Sequence, residues 1–181
     1  MLKKNLLFIF LFVGINLSFV NKSFASWFAE PYVGYEVGAA KSGEQSILDL
    51  SVKNNSINGM FFGARAGYSF LNFSGGLEYS ISKSQWKKES VSPKDSFIFA
   101  GVGIPGVRLM GAIGISHKFT VKAEEFSGKS YKLGLAFTGT PFININVEYL
   151  WRKFSKNGSA KIESSENFHK IVRASVSLPL P

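Results

Sequence analysis

The chain contains no cysteine, which excludes disulfide bonds, thiolate metal sites and a cysteine nucleophile. Charged residues make up only 18% of its 181 residues, and no stretch carries the 3.6-residue apolar stripe of an amphipathic helix. Beyond residue 20, no apolar run reaches the length of about 20 residues that a membrane-spanning helix needs. The chain is instead rich in aromatic residues (15%) and glycine (18 residues), a composition that excludes intrinsic disorder.

The first 25 residues have the pattern of a cleaved secretory signal peptide. A basic start, Met1-Leu2-Lys3-Lys4, precedes a 15-residue apolar run, Leu6 to Val20, and small residues then stand at Ser23 and Ala25. The alternative is an uncleaved membrane anchor, for which the run is short. We therefore predict a signal peptide over residues 1–25 and one mature domain over 26–181. Cleavage of the signal peptide removes three lysines, so that 18 basic and 12 acidic residues remain and the net charge falls from +9 to +6.

The stretch PFININVEYLWRKF (141–154) alternates with a period of two. One face carries Ile143, Ile145, Val147, Tyr149 and Trp151, and the other carries Asn144, Asn146, Glu148, Leu150 and Arg152. Such alternation predicts a β-strand with one apolar face and one polar face. The same period recurs along the chain and predicts eight strands of about 8 to 14 residues. These are Trp27–Ala40, Met60–Phe70, Phe73–Trp86, Phe97–Ile104, Arg108–Val121, Lys129–Thr138, Phe142–Phe154 and Phe168–Leu178.

The connections between these strands alternate between long and short. Residues 41–59, 87–96, 122–128 and 155–167 are long and polar, whereas Leu71-Asn72, Pro105-Gly106-Val107 and Gly139-Thr140-Pro141 are turns by residue type. This order is typical of an outer-membrane barrel with long external loops and short periplasmic turns. The sequence thus predicts an all-β fold, an eight-stranded antiparallel up-and-down transmembrane β-barrel.

A soluble barrel, such as a periplasmic lipocalin-like carrier, would show the same alternation with its apolar face inward. Three features favour a membrane barrel: glycines concentrate on the polar face, aromatic residues concentrate at strand ends, and the polar face mixes acids with bases that a narrow bore would pair. We predict a charge network in the lumen made of Glu30, Glu36, Arg65, Glu78, Arg108, Lys118, Lys132, Glu148, Arg152 and Arg173. We predict aromatic girdles that include Trp27, Trp86, Tyr131, Trp151 and Phe168. Phe119 is assigned to the apolar face, and Ser116 to the polar face.

The segments PYVGYEVGAA (31–40), FFGARAGYSF (61–70) and FSGGLEYSIS (73–82), which follow a signal peptide, resemble the small eight-stranded outer-membrane barrels of the OmpA, OmpX and opacity-protein type. The resemblance covers residues 27–180. It implies insertion in the outer membrane by the barrel assembly machinery, contact with lipid and lipopolysaccharide, and loops displayed outside the cell. The chain departs from this family at its end, ASVSLPLP (174–181), which lacks the usual terminal aromatic residue.

The sequence offers little chemistry beyond the barrel. GVGIPG (101–106) matches a dinucleotide-binding pattern, but a strand follows it where that motif needs a helix, so we predict no cofactor. Two distant histidines predict no metal site, and no catalytic residues are assigned. Some barrels of this shape modify lipid A with a histidine, a serine and an acidic residue, and His117 and His169 are the candidates for that alternative. The prediction is a non-enzymatic, monomeric surface protein with an unknown loop partner and no nucleic-acid ligand. A small pore or transporter is a further alternative.

Overall fold

The computed structural model describes residues 25–42, 56–86, 89–121, 124–140, 142–157, 160–161 and 167–181. The predicted signal peptide before residue 25 lies outside these ranges. The described chain forms ten β-strands. They are β1 (Ala25–Ser42), β2 (Ser56–Phe70), β3 (Phe73–Trp86), β4 (Glu89–Val91), β5 (Lys94–Ile104), β6 (Val107–Val121), β7 (Glu124–Phe137), β8 (Asn144–Asn157), β9 (Ala160–Lys161) and β10 (Asn167–Ser177). Within this part of the chain, no helix is long and apolar enough to cross a membrane.

The eight long strands close into one antiparallel barrel, which confirms the predicted fold class. Consecutive long strands pair along the series β1, β2, β3, β5, β6, β7 and β8. The last strand, β10, pairs with both β8 and β1, from Tyr32 opposite Ser177 onward. Closure gives each of the eight long strands in the described part of the chain a partner on both sides, as a sheet needs if it is to cross hydrocarbon.

All the short turns lie at one end of the barrel. The turn between β2 and β3 is Leu71-Asn72, in which Leu71 has a left-handed φ of 53°, and the turn between β5 and β6 uses Gly106 at φ 81°. Only glycine adopts that second conformation without strain. Ala25 lies opposite Phe70, so the start of β1 is at this same end. The GVGIPG motif is therefore a strand end that runs into a turn.

The C-terminal segment continues the barrel wall despite its prolines. Leu178 donates its N–H to the carbonyl of Pro31 (3.0 Å), and Leu180 and Ala29 exchange two backbone hydrogen bonds of 2.8 and 3.1 Å. Pro179 lies between these bonded positions, where an N–H would point toward β8, and β8 does not extend that far. Its missing N–H therefore costs no ladder hydrogen bond.

The two faces of the wall have opposite polarity, and the apolar face points outward. Val147 is 51% and Leu135 45% exposed, whereas Arg65 and Glu148 on the alternating positions are each 1% exposed. Gly63 leaves room in the interior for the side chain of Tyr32, because an added Cβ at Gly63 would lie within 2.6 Å of the Tyr32 hydroxyl. A barrel with a greasy exterior and a charged interior is the inverse of a soluble carrier, and the apolar exterior suits lipid.

One β-bulge in β6, at Ile115, reverses the faces from Ser116 onward. The register with β5 and with β7 shifts between Ile113 and Lys118, so Ile115 and Ser116 are both exposed. As a result, Lys118 faces outward and forms an ion pair with Glu125 at 3.1 Å, and Phe119 is buried inside. The predictions that Lys118 joins the lumen network and that Phe119 lies on the apolar exterior are wrong. An inserted residue changes the side on which every later side chain falls, and alternation alone does not reveal it.

The strands also extend into segments predicted as loops. β2 begins at Ser56, β5 at Lys94 and β7 at Glu124, each inside a predicted connection. The short strands β4 and β9 lie within the predicted connections 87–96 and 155–167. Long strands of 11 to 18 residues equal or exceed the 9–11 that a tilted strand needs to cross a bilayer. Hairpins therefore project beyond the apolar band at the end opposite the short turns.

Candidate functional site

The interior is built of charged layers, of which the first lies near the short turns. Glu30 accepts hydrogen bonds from Asn144 (2.9 Å), Ser177 (2.5 Å) and Arg108 (2.6 Å). The Arg65 guanidinium adds a longer ion pair, 3.7 Å from the same carboxylate. Glu30 comes from β1 and these partners from four other strands, so the layer ties opposite sides of the barrel together.

The second layer is centred on Arg65. Its Nε lies 3.0 Å from Glu78, and its Nη2 contacts Glu148 on the other side of the bore. Lys132 contacts both carboxylates, with Nζ 3.2 Å from Glu148. The Tyr32 hydroxyl donates to Glu78 at 2.7 Å. Two acids and two bases thus neutralise each other where no water can solvate them, as the cost of enclosing charge requires.

The third layer lies toward the hairpin end. Asp95 contacts His117 and forms ion pairs with Arg152 (2.6 Å) and Arg173 (3.4 Å). Arg173 also donates to Glu36 at 2.8 Å. The Glu36 carboxylate accepts two more bonds, from the hydroxyls of β3 serines at 2.6 and 3.0 Å. The layer has one acid that the sequence analysis did not find, because Asp95 fell in a segment read as a loop.

The described interior is balanced in charge. Five acids and five bases take part, namely Glu30, Glu36, Glu78, Asp95 and Glu148 with Arg65, Arg108, Lys132, Arg152 and Arg173. Nine of the ten predicted network residues lie here, and Lys118 is the exception. Eight-stranded barrels have an interior just wide enough for side chains to fill it, and these layers occupy it with paired groups.

Aromatic side chains cover the third layer at the hairpin end. The described cluster contains Val91, Phe119, Phe154, Trp86 and Phe126. His169 lies among them, with its ring centroid 4.6 Å from that of Phe154 and 5.0 Å from that of Phe119. This cap places apolar rings above the ion pairs and shields them from solvent.

The predicted girdle residues divide between the two faces. Trp27 is 74% exposed near the short turns and packs edge-on against Tyr68 at 5.3 Å. Tyr131 and Trp151 are cross-strand partners on the outer face toward the hairpins, and Phe168 alternates with the buried His169 there. Trp86 does not belong to a girdle. Its position is an even number of residues from Glu78, so it points into the barrel and joins the cap, and that count was available from the sequence.

The interior also contains apolar residues, of which the sequence analysis placed only Leu150 on the polar face. Phe97, Phe99, Ala112, Leu150 and Ile171 form a buried cluster with Phe28 packed against it. Several bases lie on aromatic rings, with the Arg173 guanidinium 4.6 Å from the Phe61 ring and Lys132 Nζ 4.9 Å from that of Phe97. These contacts add cation–π attraction to the ion pairs. Their positions along the alternating strands place these side chains inside the barrel, whereas their hydrophobicity favours a lipid-facing position. Only the folded structure shows that they point inward.

No family model matches the chain, and neither does any curated protein. Solved structures do match. Neisserial surface protein A aligns at 15% identity and a TM-score of 0.56, covering 85% of this chain and 97% of that one. Ail, the attachment invasion locus protein of Yersinia pestis, aligns at 14% identity and a TM-score of 0.56, covering 84% and 98%. Ail in complex with the heparin analogue sucrose octasulfate gives 15% identity and a TM-score of 0.53, covering 86% and 99%.

The chain has the fold of the small eight-stranded outer-membrane β-barrels. The predicted resemblance to these barrels is therefore confirmed for the fold. At this low identity the likeness carries no activity or ligand, and the chemistry must come from the side chains.

In the part of the chain that the structure describes, the side chains of the barrel do not assemble a nucleophile with a base. His117 contacts Asp95 through Nδ1, and Ser116 is exposed on the opposite face. Among the described residues, no serine oxygen lies within hydrogen-bond distance of either histidine ring, as a serine nucleophile would require. The same ranges contain no group of three metal-binding side chains.

Proposed function

We propose that the protein is a non-enzymatic, monomeric outer-membrane protein whose barrel is a closed scaffold for hairpins displayed at the cell surface. The observation that carries the proposal is the polarity of the wall: apolar side chains point outward around an interior of paired charges. Residues 1–25 would direct export, and the barrel assembly machinery would insert the mature domain of residues 26–181. Outer-membrane lipid would then surround the apolar band.

The surface role follows from the position of the long connections at one end of a rigid barrel. Connections on a rigid scaffold are the usual site of recognition. The names of two structural neighbours, a surface protein and an attachment and invasion protein, agree with such a role for this chain. The strand ends below these connections carry the exposed side chains of Lys129 and Lys153, which favour an anionic partner at the cell surface over a neutral one.

Cell fractionation with a gel of unboiled and boiled samples tests the location and closure of the barrel. We expect the protein in the outer-membrane fraction, with a band that shifts on boiling because the closed barrel resists detergent until it is heated. A variant that lacks residues 167–181 is the control, since without β10 the wall has no closing strand. Recovery of the full chain in the soluble periplasm would contradict the proposal.

Conductance in a planar lipid bilayer tests the scaffold against a pore. We expect no stable unitary current from the folded protein, because three ion-paired layers and the aromatic cap occupy the bore. A porin reconstituted in the same membrane checks that currents are detectable. Ohmic steps that scale with the amount of protein would replace the scaffold role with transport.

A further inference from the structure

The outer face of β7 and β8 changes character in a fixed order toward the hairpin end. Along β8 the outward residues are Ile145, Val147, Tyr149, Trp151 and Lys153, and along β7 they are Phe137, Leu135, Leu133, Tyr131 and Lys129. On both strands aliphatic side chains give way to an aromatic ring and then to a lysine. Aromatic rings favour the membrane interface, so the lysines lie just beyond it.

Lys129 and Lys153 are direct cross-strand partners. Two like charges at opposed positions of a sheet destabilise each other. Within the described ranges, neither ammonium group has a carboxylate within ion-pair distance. A third lysine, Lys170, lies opposite Trp151 with its Nζ 5.5 Å from the ring of Phe168, which itself lies opposite Lys153. The wall thus holds a concentration of positive charge above a floor of aromatic rings.

A second pair of opposed lysines on the barrel differs from the first because a carboxylate lies beside it. Lys94 and Lys118 are also cross-strand partners with outward side chains. There, however, Glu125 supplies a carboxylate 3.1 Å from Lys118. The protein therefore supplies its own counter-charge at one lysine pair, while Lys129 and Lys153 are open to a counter-charge from a ligand.

The depth of Lys129 and Lys153 favours lipid as the ligand that supplies this charge. Two residues along a strand tilted by about 40° rise about 5 Å, so the lysines lie that far above Tyr131 and Trp151. This is the level of lipid phosphates, and the long lysine side chain reaches further along the wall. The outward aliphatic side chains nearer the short turns offer an apolar surface to the acyl chains of a lipid whose phosphate lies at the lysines. They are Leu133 and Leu135 on β7 and Ile145 and Val147 on β8.

We propose that Lys129 and Lys153 form a binding site for a phosphate of the outer-leaflet glycolipid, with Tyr131 and Trp151 packed against its sugar and the apolar wall against its acyl chains. The site deepens the proposed function, on whose membrane location it rests. It assigns the lipid-facing side of β7 and β8, and not the hairpin tips, as the surface that holds lipopolysaccharide. A single phosphate between two ammonium groups would turn a repulsive pair into a bridge.

Binding to the purified, folded barrel in neutral detergent tests the site without requiring the membrane location. The probes are bis-phosphorylated lipid A, the same lipid after removal of its phosphates, and inorganic phosphate, with retention of lipid measured by native mass spectrometry. We expect bis-phosphorylated lipid A to bind about fivefold more weakly to K129Q or K153Q, and about thirtyfold more weakly to the double variant. K118Q is the matched control and should bind as the original chain does.

Several results would overturn the site. Equal retention by the double variant would show that the lysines do not hold the lipid, and equal retention of the phosphate-free lipid would show that the wall binds only acyl chains. Competition by inorganic phosphate at equal concentration would assign the lysines to a free anion. A loss with K118Q as large as with K153Q would indicate general charge attraction. If the heat-modifiable band persists in the outer membrane while binding fails, only this inference is lost, and the proposed function stands.

Discussion

Arg65→Met should lower the free energy of unfolding by about 3–5 kcal/mol, the usual cost of removing one partner from a buried ion pair. Arg65 is 1% exposed and contacts Glu78 and Glu148, with Glu30 at 3.7 Å. Methionine fills similar space but leaves Lys132 as the only base against two carboxylates in the second layer. Urea unfolding of the barrel in lipid vesicles measures the loss.

Arg108→Met is the matched control for this change. Arg108 pairs with one carboxylate, Glu30, and its side chain is 16% exposed at the rim. Glu30 keeps its bonds to Ser177 and Asn144 after the substitution, so we expect a loss below about 2 kcal/mol. Adding Glu148→Leu to Arg65→Met should restore part of the stability, because one uncompensated carboxylate is removed. Equal losses for the two arginines, or no rescue, would mean that the second layer does not hold the barrel together.

Leu133→Arg should destabilise the barrel in lipid vesicles by about 2–4 kcal/mol, whereas Ile104→Arg should cost about 1 kcal/mol or less. The two residues are nearly equally exposed, at 59% and 57%, so contacts within the protein do not distinguish them. They differ in depth. Leu133 lies midway along the outer face of β7, while Ile104 ends β5 at a short turn. A guanidinium at mid-depth must sit in hydrocarbon, and one at the rim reaches water.

The same pair of variants separates the membrane barrel from a soluble one. Unfolding curves measured in vesicles give the two free energies, and a two-state fit with unchanged slope shows that only stability has changed. If both arginines were tolerated equally, the outer face would not lie in hydrocarbon, and the apolar wall would need another cover. If Ile104→Arg cost more than Leu133→Arg, the assigned depths of the two residues, and with them the position of the apolar band along the strands, would be wrong.

Much of this fold could be predicted from the sequence because a strand's alternation is local. The two-residue period of β8 separates Glu148 from Val147 whatever the partner strands are, and the polarity of each set tells which environment it suits. The short turns are equally local, since Gly106 and its neighbours have the residue types of a turn. The wrong predictions concentrate in the half of the barrel nearer the hairpins, where β6 has a bulge and the predicted loops continue as strands.

The chain by itself determined the strands, the turns and the sorting of side chains into an apolar and a polar set, because each follows from residues a few positions apart. Only closure of the barrel decided which charges meet: Arg65 and Glu148 are 83 residues apart, and Asp95 and Arg173 are 78 apart. Strand register also decided that Phe119 caps the bore and that Lys129 faces Lys153. A one-residue change in register moves a side chain to the other face of the wall, so these meetings depend on how all eight long strands pair.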